Sequence, residues 1–91
     1  MPHHSDSNAA EIVAALRGAG ASVQLIQGAN RQAGVPDLLV GFRGTNYLME
    51  VKRPKVGRVS EVQAEWVASW RGHVSIVTTA EMALRVIGLL T

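Results

Sequence analysis

Two carboxylates and a lysine come together in this sequence if two of its strand-like segments form a hairpin. Asp37 lies in the first segment, Glu50 and Lys52 lie in the second, and residues 43–44 between them suit a two-residue turn. With that turn, residues whose numbers sum to 87 face each other, so Asp37 faces Glu50. Facing carboxylates repel each other, and a divalent cation between them turns this repulsion into attraction. The spacing therefore predicts a metal site able to act on a phosphodiester.

Hydrolysis of a phosphodiester requires an aligned nucleophile, neutralisation of developing charge and help for the leaving oxygen. Mg²⁺ or Mn²⁺ held by one or two carboxylates, with several waters retained, supplies most of these needs. We predict Asp37 and Glu50 as ligands, together with the backbone carbonyl of Val51. Lys52 lies on the same strand face as Glu50, where its ammonium can orient or deprotonate the attacking water and offset phosphate charge.

Other kinds of catalytic site have little support in the sequence. The chain has no cysteine, which excludes a Cys–His pair, a thiolate metal site and a disulfide framework. His73 is the one histidine outside the N-terminal segment, and it begins a predicted strand without an evident acidic partner. We therefore expect His73 to be structural.

Length and composition indicate one small domain. Of the 91 residues, 47% are hydrophobic, enough for a modest core, and we predict a polar, disordered segment over 1–7 followed by a single domain over 8–91. No apolar run is long enough to cross a bilayer, and no signal-peptide pattern opens the chain. We therefore expect a cytoplasmic protein with no membrane partner.

A basic segment follows the two carboxylates directly. The net charge is only +2, but Lys52, Arg53, Lys55 and Arg58 fall within seven residues that contain no acid. In isolation such a run is commonly a solvated loop. Next to a predicted metal site it indicates a polyanionic partner, and we predict that these four residues bind nucleic acid.

Hydrophobic periodicity predicts a mixed α/β domain in the order α-β-β-β-α-β-α, with one central sheet flanked by helices. Glycines end the first two helices, and serine or threonine begins the last two. The predicted helices are 8–17, 60–70 and from 78 or 79 to 87, and the predicted strands are 22–26, 35–42, 45–52 and 73–77.

Two of the predicted helices have apolar faces that need covering. In the second helix, an apolar face that includes Trp66 and Trp70 is predicted to lie in the core; stacking of the two tryptophans on nucleobases is the alternative. The last helix carries a second apolar stripe of Met82, Val86 and Leu89. One small domain does not easily bury that stripe as well, so we predict a homodimer; the alternative is that the stripe is exposed.

A family resemblance rests on the hairpin residues. Pro36-Asp37, followed by Glu50-Val51-Lys52, resembles the signature of the PD-(D/E)XK nuclease superfamily. The longer segment around them is similar to the VRR-NUC family, particularly to its short stand-alone phage and bacterial members; its sequence is GVPDLLVGFRGTNYLMEVK.

The resemblance covers nearly the whole chain and implies a restriction-endonuclease-like core. It places the metal ligands of the family at Asp37 and Glu50 and its catalytic lysine at Lys52. It also places a helical active-site glutamine at Gln63 and a first-helix glutamate, a further candidate metal ligand, at Glu11.

Gln63 and Glu11 each have an alternative role at a helix start. Ser60-x-x-Gln63 fits a capping box, although Gln63 also falls on the apolar face of its helix, which favours a place in the site. Asn8-x-x-Glu11 fits a capping box as well. For Glu11 both roles remain open.

The leading hypothesis is a Mg²⁺- or Mn²⁺-dependent DNA endonuclease without a small-molecule cofactor. By analogy to related folds, we expect it to cut branched, flap or four-way-junction DNA, with the two sites of a dimer facing two strands. One alternative is a non-catalytic nucleic-acid-binding module with a vestigial site. Another is a plain α/β domain whose carboxylates pair with Arg31 or Arg53.

Overall fold

The computed structural model describes residues 4–28, 32–54 and 59–90, and its elements follow the predicted order. Most bounds agree with the prediction within a few residues; the first helix begins earlier, inside the segment predicted to be a polar tail. The helices are α1 (His4–Gly18), α2 (Glu61–Ser69) and α3 (Ala80–Val86), and the strands are β1 (Ser22–Leu25), β2 (Leu38–Phe42), β3 (Thr45–Val51) and β4 (Val74–Val77).

The strands form one mixed sheet in the order β1-β2-β3-β4. β2 is antiparallel to both β1 and β3, whereas β4 pairs in parallel with β3. A parallel pair requires a crossover connection, and α2 lies in that connection. The predicted mixed sheet is confirmed. Among the described residues, no helix combines the length and apolar composition needed to cross a bilayer.

The β2–β3 hairpin has the predicted register. Phe42 pairs with Thr45 and Leu38 pairs with Met49, so facing residues do sum to 87. The turn residues Arg43 and Gly44 have φ angles of 51° and 80°, as a two-residue type I′ turn requires at both positions. This turn fixes the register and therefore fixes which side chains meet at the open end of the hairpin.

One face of the sheet forms the hydrophobic core with α1 and α3. β2 and β3 contribute side chains that are almost completely buried, and the two helices pack against each other over them. The apolar spacing of α1 brings Ile12 and Leu16 to this face. The remaining core residues are Ala21, Leu38, Val40, Met49, Val77, Ala83 and Ile87.

The second apolar stripe of α3 is largely covered within the chain. Val86 and Leu89 pack against the core, which leaves Met82 as the exposed member of the predicted stripe. The sulfur of Met82 accepts a hydrogen bond from the Thr78 hydroxyl at 3.0 Å. The homodimer therefore stays a prediction, and of the apolar stripe on which it was based only Met82 is exposed.

α2 lies over the opposite face of the sheet without covering it closely, and this helix has no buried residue. Val62 is 49% exposed and Trp70 is 45% exposed, so the prediction that the apolar face of α2 lies in the core is wrong. Periodicity shows which side of a helix is apolar, but it does not show how closely another element covers that side. Trp66 stacks on Trp70 with ring centroids 4.6 Å apart, so the two rings partly cover each other.

Candidate active site

Asp37 lies at the open end of the hairpin, directly before β2. Its Oδ2 accepts a hydrogen bond from the backbone N–H of Val51 at 2.9 Å. This contact lies beyond the last backbone pair of the ladder, Leu38 with Met49, and holds the aspartate against β3. The next residue pair in the same register is Asp37 and Glu50, so the hairpin places the two carboxylates beside each other, as predicted.

Glu50 is the buried member of the pair, with only 3% of its surface exposed. Its Oε2 accepts a hydrogen bond from Nε2 of Gln63 at 2.6 Å, and Nζ of Lys52 lies 3.5 Å from the same oxygen. Its Oε1 is buried and has no hydrogen-bond partner among the described residues. A buried oxygen without a partner costs free energy, so Oε1 favours a ligand that can satisfy it.

The surroundings of Glu50 disfavour its negative charge. Burial is the largest cause, and it acts with the charge of Asp37 to raise the pKa of Glu50 from 4.5 to about 7. A hydrogen bond with Asp37 also raises this pKa, whereas the charge and hydrogen bond of Lys52 lower it. A cation at the pair would favour the ionised carboxylate instead.

Gln63 makes a contact that fits each of the two alternatives predicted for it. Its Oε1 accepts from the backbone N–H of Ser60 at 3.2 Å, and its own backbone N–H donates to Oγ of Ser60 at 3.2 Å, which completes a capping box. Its Nε2 is left free to donate to Glu50. The two ends of one amide therefore join the start of α2 to the carboxylate pair.

Asn8 holds the backbone beside Lys52. Its Nδ2 donates to the carbonyls of Lys52 at 3.0 Å and of Thr78 at 3.2 Å, which joins the carboxyl ends of β3 and β4. The backbone N–H of Lys52 donates to the carbonyl of Val77 at 2.9 Å. The predicted Asn8–Glu11 capping box is wrong, because α1 begins at His4 and Asn8 lies inside the helix.

A cavity of about 800 Å³ brings five of the predicted site residues together: Asp37, Glu50, Val51, Lys52 and Gln63 line it. The cavity extends from the end of the hairpin to α1. It is large enough for a small ligand or for part of a polymer backbone.

The opposite wall of this cavity comes from α1. Ala9, Ala10 and Ala14 present small side chains there and leave the space open. Arg17 also lines the cavity, and its guanidinium donates to the carbonyl of Val23 at 3.0 Å. The sequence offered one signal for Arg17: it lies on the same helical face as Ala10 and Ala14. For Asn8 there was no such signal, because its partners are far away in the sequence.

Several predicted residues are not brought to the cavity. Glu11 is exposed and does not line it, since it lies on another side of α1. Arg53 follows Lys52 but does not line the cavity either. Lys55 and Arg58, and the alternative partner Arg31, lie outside the described residues.

A comparison with solved structures identifies the architecture. One structure, described as a VRR_NUC domain, has a TM-score of 0.75 with this chain at 20% sequence identity. The similarity covers 96% of this chain and 97% of the other. The chain has the fold of a VRR_NUC domain. This confirms the predicted restriction-endonuclease-like core. No family model matches the sequence, and no curated protein matches it.

The carboxylate pair of this VRR_NUC fold suits a small divalent cation. The unpartnered Oε1 of Glu50 and the neighbouring carboxylate of Asp37 are the hard oxygen donors that Mg²⁺ and Mn²⁺ prefer. No group of three or more acidic or histidine side chains with metal-binding geometry occurs within the described ranges. Mg²⁺ commonly binds through one or two carboxylates and takes its other ligands from water and substrate, so a site with two carboxylates is sufficient.

Proposed function

We propose that the chain is a Mg²⁺- or Mn²⁺-dependent DNA endonuclease. The observation that carries the proposal is the buried Glu50, which lies beside Asp37 with Oε1 unpartnered within the described chain. Its other oxygen contacts Gln63 and Lys52. The VRR_NUC fold supports nuclease function for such a site.

Asp37 and Glu50 would hold the cation, with the carbonyl of Val51 as a further ligand. When bound, the cation polarises a phosphoryl oxygen and makes a bound water more acidic. The hydrogen bond from the Val51 amide keeps Oδ2 of Asp37 in place for this task.

Lys52 and Gln63 prepare the cavity for a phosphate. The side chain of Lys52 is 18% exposed, so its ammonium can contact a phosphate while it remains close to Glu50. This positive charge would offset the phosphate charge and orient the attacking water. Gln63 donates to Oε2 of Glu50 and thereby leaves Oε1 available to a ligand.

The proposed partner is DNA, bound through its phosphates by the basic segment Lys52, Arg53, Lys55 and Arg58. Such contacts position a nucleic acid without reading its sequence. We therefore propose selectivity for branched, flap or four-way-junction DNA. The proposal also includes a homodimer with two sites, no small-molecule cofactor, and action in the cytoplasm of a bacterium or phage-infected cell; the resemblance to short VRR-NUC proteins supports these points.

The test is cleavage of a fluorescent DNA panel of linear duplex, single strand, flap and four-way junction, with Mg²⁺, Mn²⁺ or EDTA. We expect cutting that requires the metal and falls at least ~100-fold in Asp37→Asn, Glu50→Gln and Lys52→Ala, as for the loss of a group that stabilises transition-state charge. Thermal unfolding in EDTA checks that each variant is folded.

Glu11→Gln is the matched control, because it removes an exposed carboxylate that does not line the cavity. We expect this variant to cut normally, and a large loss would place Glu11 in the site after all. DNA binding without cleavage, unaffected by EDTA, would replace the nuclease proposal with the binding-module alternative.

A further inference from the structure

A second cavity, of about 510 Å³, lies on the sheet face covered by α2. Leu39 and Leu48 form its floor, and Trp66 and Trp70 form a wall. We call it the tryptophan cavity. Its volume is in the range of small-molecule sites, and none of its lining residues belongs to the site described above.

The aromatic wall of the tryptophan cavity is a ready stacking surface. The rings of Trp66 and Trp70 are stacked with an angle of 16° between their planes, and Trp70 is 45% exposed. A Cβ on Gly72 would lie 2.9 Å from Nε1 of Trp70, so the glycine leaves the indole room to lie where it does. A planar ligand can stack on the exposed ring of Trp70.

Polar side chains complete the lining. Gln32, Asn46 and His73 line the cavity, and their side chains make no hydrogen bonds within the described residues. They offer amide and imidazole groups as donors and acceptors. The described residues of the lining include no lysine, arginine or carboxylate, so this part of the cavity suits a flat ligand with a hydrogen-bonding edge rather than a phosphate.

The tryptophan cavity is next to the carboxylate pair. Leu39 and Leu48 face each other on the same sheet side as Asp37 and Glu50, two residues further along each strand, which is a distance of ~7 Å. α2 also joins the tryptophan cavity to the carboxylate pair. Its Gln63 contacts Glu50, and Trp66, one helical turn later, lines the cavity.

We propose that the tryptophan cavity binds an unstacked nucleobase adjacent to the phosphate that is cut. This inference rests on the proposed function and deepens it, because it gives the chain a physical reason to select DNA with unpaired nucleotides. A base in a duplex must first be unpaired and unstacked, which costs free energy, whereas a base at a flap or fork is already available. The cavity thus discriminates by the pairing state of the DNA and not by its sequence.

A second copy of the chain is a poorer occupant. If it covered Gln32, Asn46 and His73 with an apolar surface, their hydrogen-bonding groups would be buried without partners. A nucleobase edge provides such partners.

Intrinsic fluorescence tests the proposal directly, since Trp66 and Trp70 are the two tryptophans of the chain and both line this cavity. The experiment titrates the unmodified protein in EDTA, which prevents metal-dependent cutting, with a forked oligonucleotide and with a fully paired duplex of equal length. We expect the fork to quench the fluorescence and the duplex to leave it nearly unchanged. Equal quenching by both would overturn the proposal.

Labelled DNA then measures affinity by anisotropy in the Trp70→Ala variant. We expect binding of the fork to weaken about 5- to 150-fold, the range for loss of one base–aromatic stack, and binding of the duplex to stay unchanged. Gly72→Ala, which displaces the indole without removing it, should act in the same direction. Val62→Ala is the matched control, being an equally exposed apolar residue of α2 that does not line the cavity.

These experiments distinguish failure of the base site from failure of the proposed nuclease function. Equal weakening of fork and duplex in Trp70→Ala, or a change in sedimentation from dimer to monomer, would overturn the base site; the second result would make the cavity an interface between copies. These binding measurements need neither metal nor cleavage. Absence of metal-dependent cutting would therefore remove the proposed nuclease while the fluorescence result still stood.

Discussion

One face of the central sheet buries Leu38, Val40 and Met49 completely or nearly so beneath α1 and α3, whereas the other face meets α2, a helix without a buried residue. The first face has the close packing that stabilises a small domain. On the second face, the hydrogen bond from Gln63 to Glu50 joins α2 to the sheet, whereas the capping box and the stacked rings lie within α2 and its C-cap. The first face therefore carries most of the stability and the second carries the tryptophan cavity, whereas the carboxylate cavity reaches from Gln63 of α2 to α1.

The largest effect is expected from a substitution in the well-packed core under α1 and α3. Leu16→Ala removes a fully buried side chain of α1 and should lower the free energy of unfolding by about 2–5 kcal/mol. Val62→Ala on the α2 side should change it by about 0.5 kcal/mol or less, because this side chain is half exposed. Urea denaturation at a fixed pH measures both. Similar losses would show that the α2 side is covered as closely as the core, and the comparison would fail.

The second prediction concerns the buried carboxyl group of Glu50. The folded, metal-free protein holds the Glu50 proton more tightly than the unfolded chain, because the pKa is about 7 instead of 4.5. Its contribution to stability is therefore full below about pH 4.5 and is lost as the pH rises through about 7. At about 1.4 kcal/mol per pKa unit, the loss is about 3 kcal/mol.

Glu50→Gln removes this loss. In EDTA, we expect the free energies of unfolding of the variant and the original protein to differ least at pH 4.5. At pH 8 the variant should be more stable by about 3 kcal/mol. Urea denaturation between these pH values provides the measurement, and Mg²⁺ should narrow the difference if it binds the carboxylate pair. A pH-independent difference would contradict the assignment. Glu11→Gln, which alters an exposed carboxylate, should not reproduce the effect.

The smallest expected effect compares the N-caps of α2 and α3. Oγ of Ser60 accepts a hydrogen bond from the backbone N–H of Gln63, and Oγ1 of Thr79 accepts one from the backbone N–H of Met82. Thr79→Ala should cost about 1 kcal/mol of stability, the usual value for an N-cap, and leave cleavage unchanged. Ser60→Ala should cost the domain less because α2 is loosely packed, but it should reduce cleavage several-fold by releasing Gln63 from Glu50.

Ser60→Thr keeps a capping hydroxyl and should restore activity. Denaturation and cleavage rates, measured on the same protein samples, separate the two effects. Equal stability losses with no change in cleavage for Ser60→Ala would show that the cap and the site are independent.

The sequence was a good guide wherever a short-range rule decided the structure. The two-residue turn at 43–44 determined the hairpin register, and through it the pairing of Asp37 with Glu50. The cap at Ser60 determined where α2 begins. These features depend on neighbours in the chain, whose chemistry can be read directly.

Features that depend on distant contacts could not be predicted. Asn8 was predicted to be a helix cap because the sequence around it gives no sign of its acceptors, the carbonyls of Lys52 and Thr78. The tryptophans of α2 read as core because their spacing is the same whether or not another layer covers them. Gln63 was expected to take one role, yet an amide has two ends and can take both.

The contacts of Asn8 can form only late in translation. Its acceptor Thr78 and the β4 partner of Glu50, Ile76, are synthesised well after Asn8 itself. The β2–β3 hairpin can form before them, although β3 then lacks its outer neighbour. A nascent chain therefore carries the two carboxylates before β3 has its β4 neighbour, and we expect the proposed DNA-cutting activity only once synthesis has passed β4.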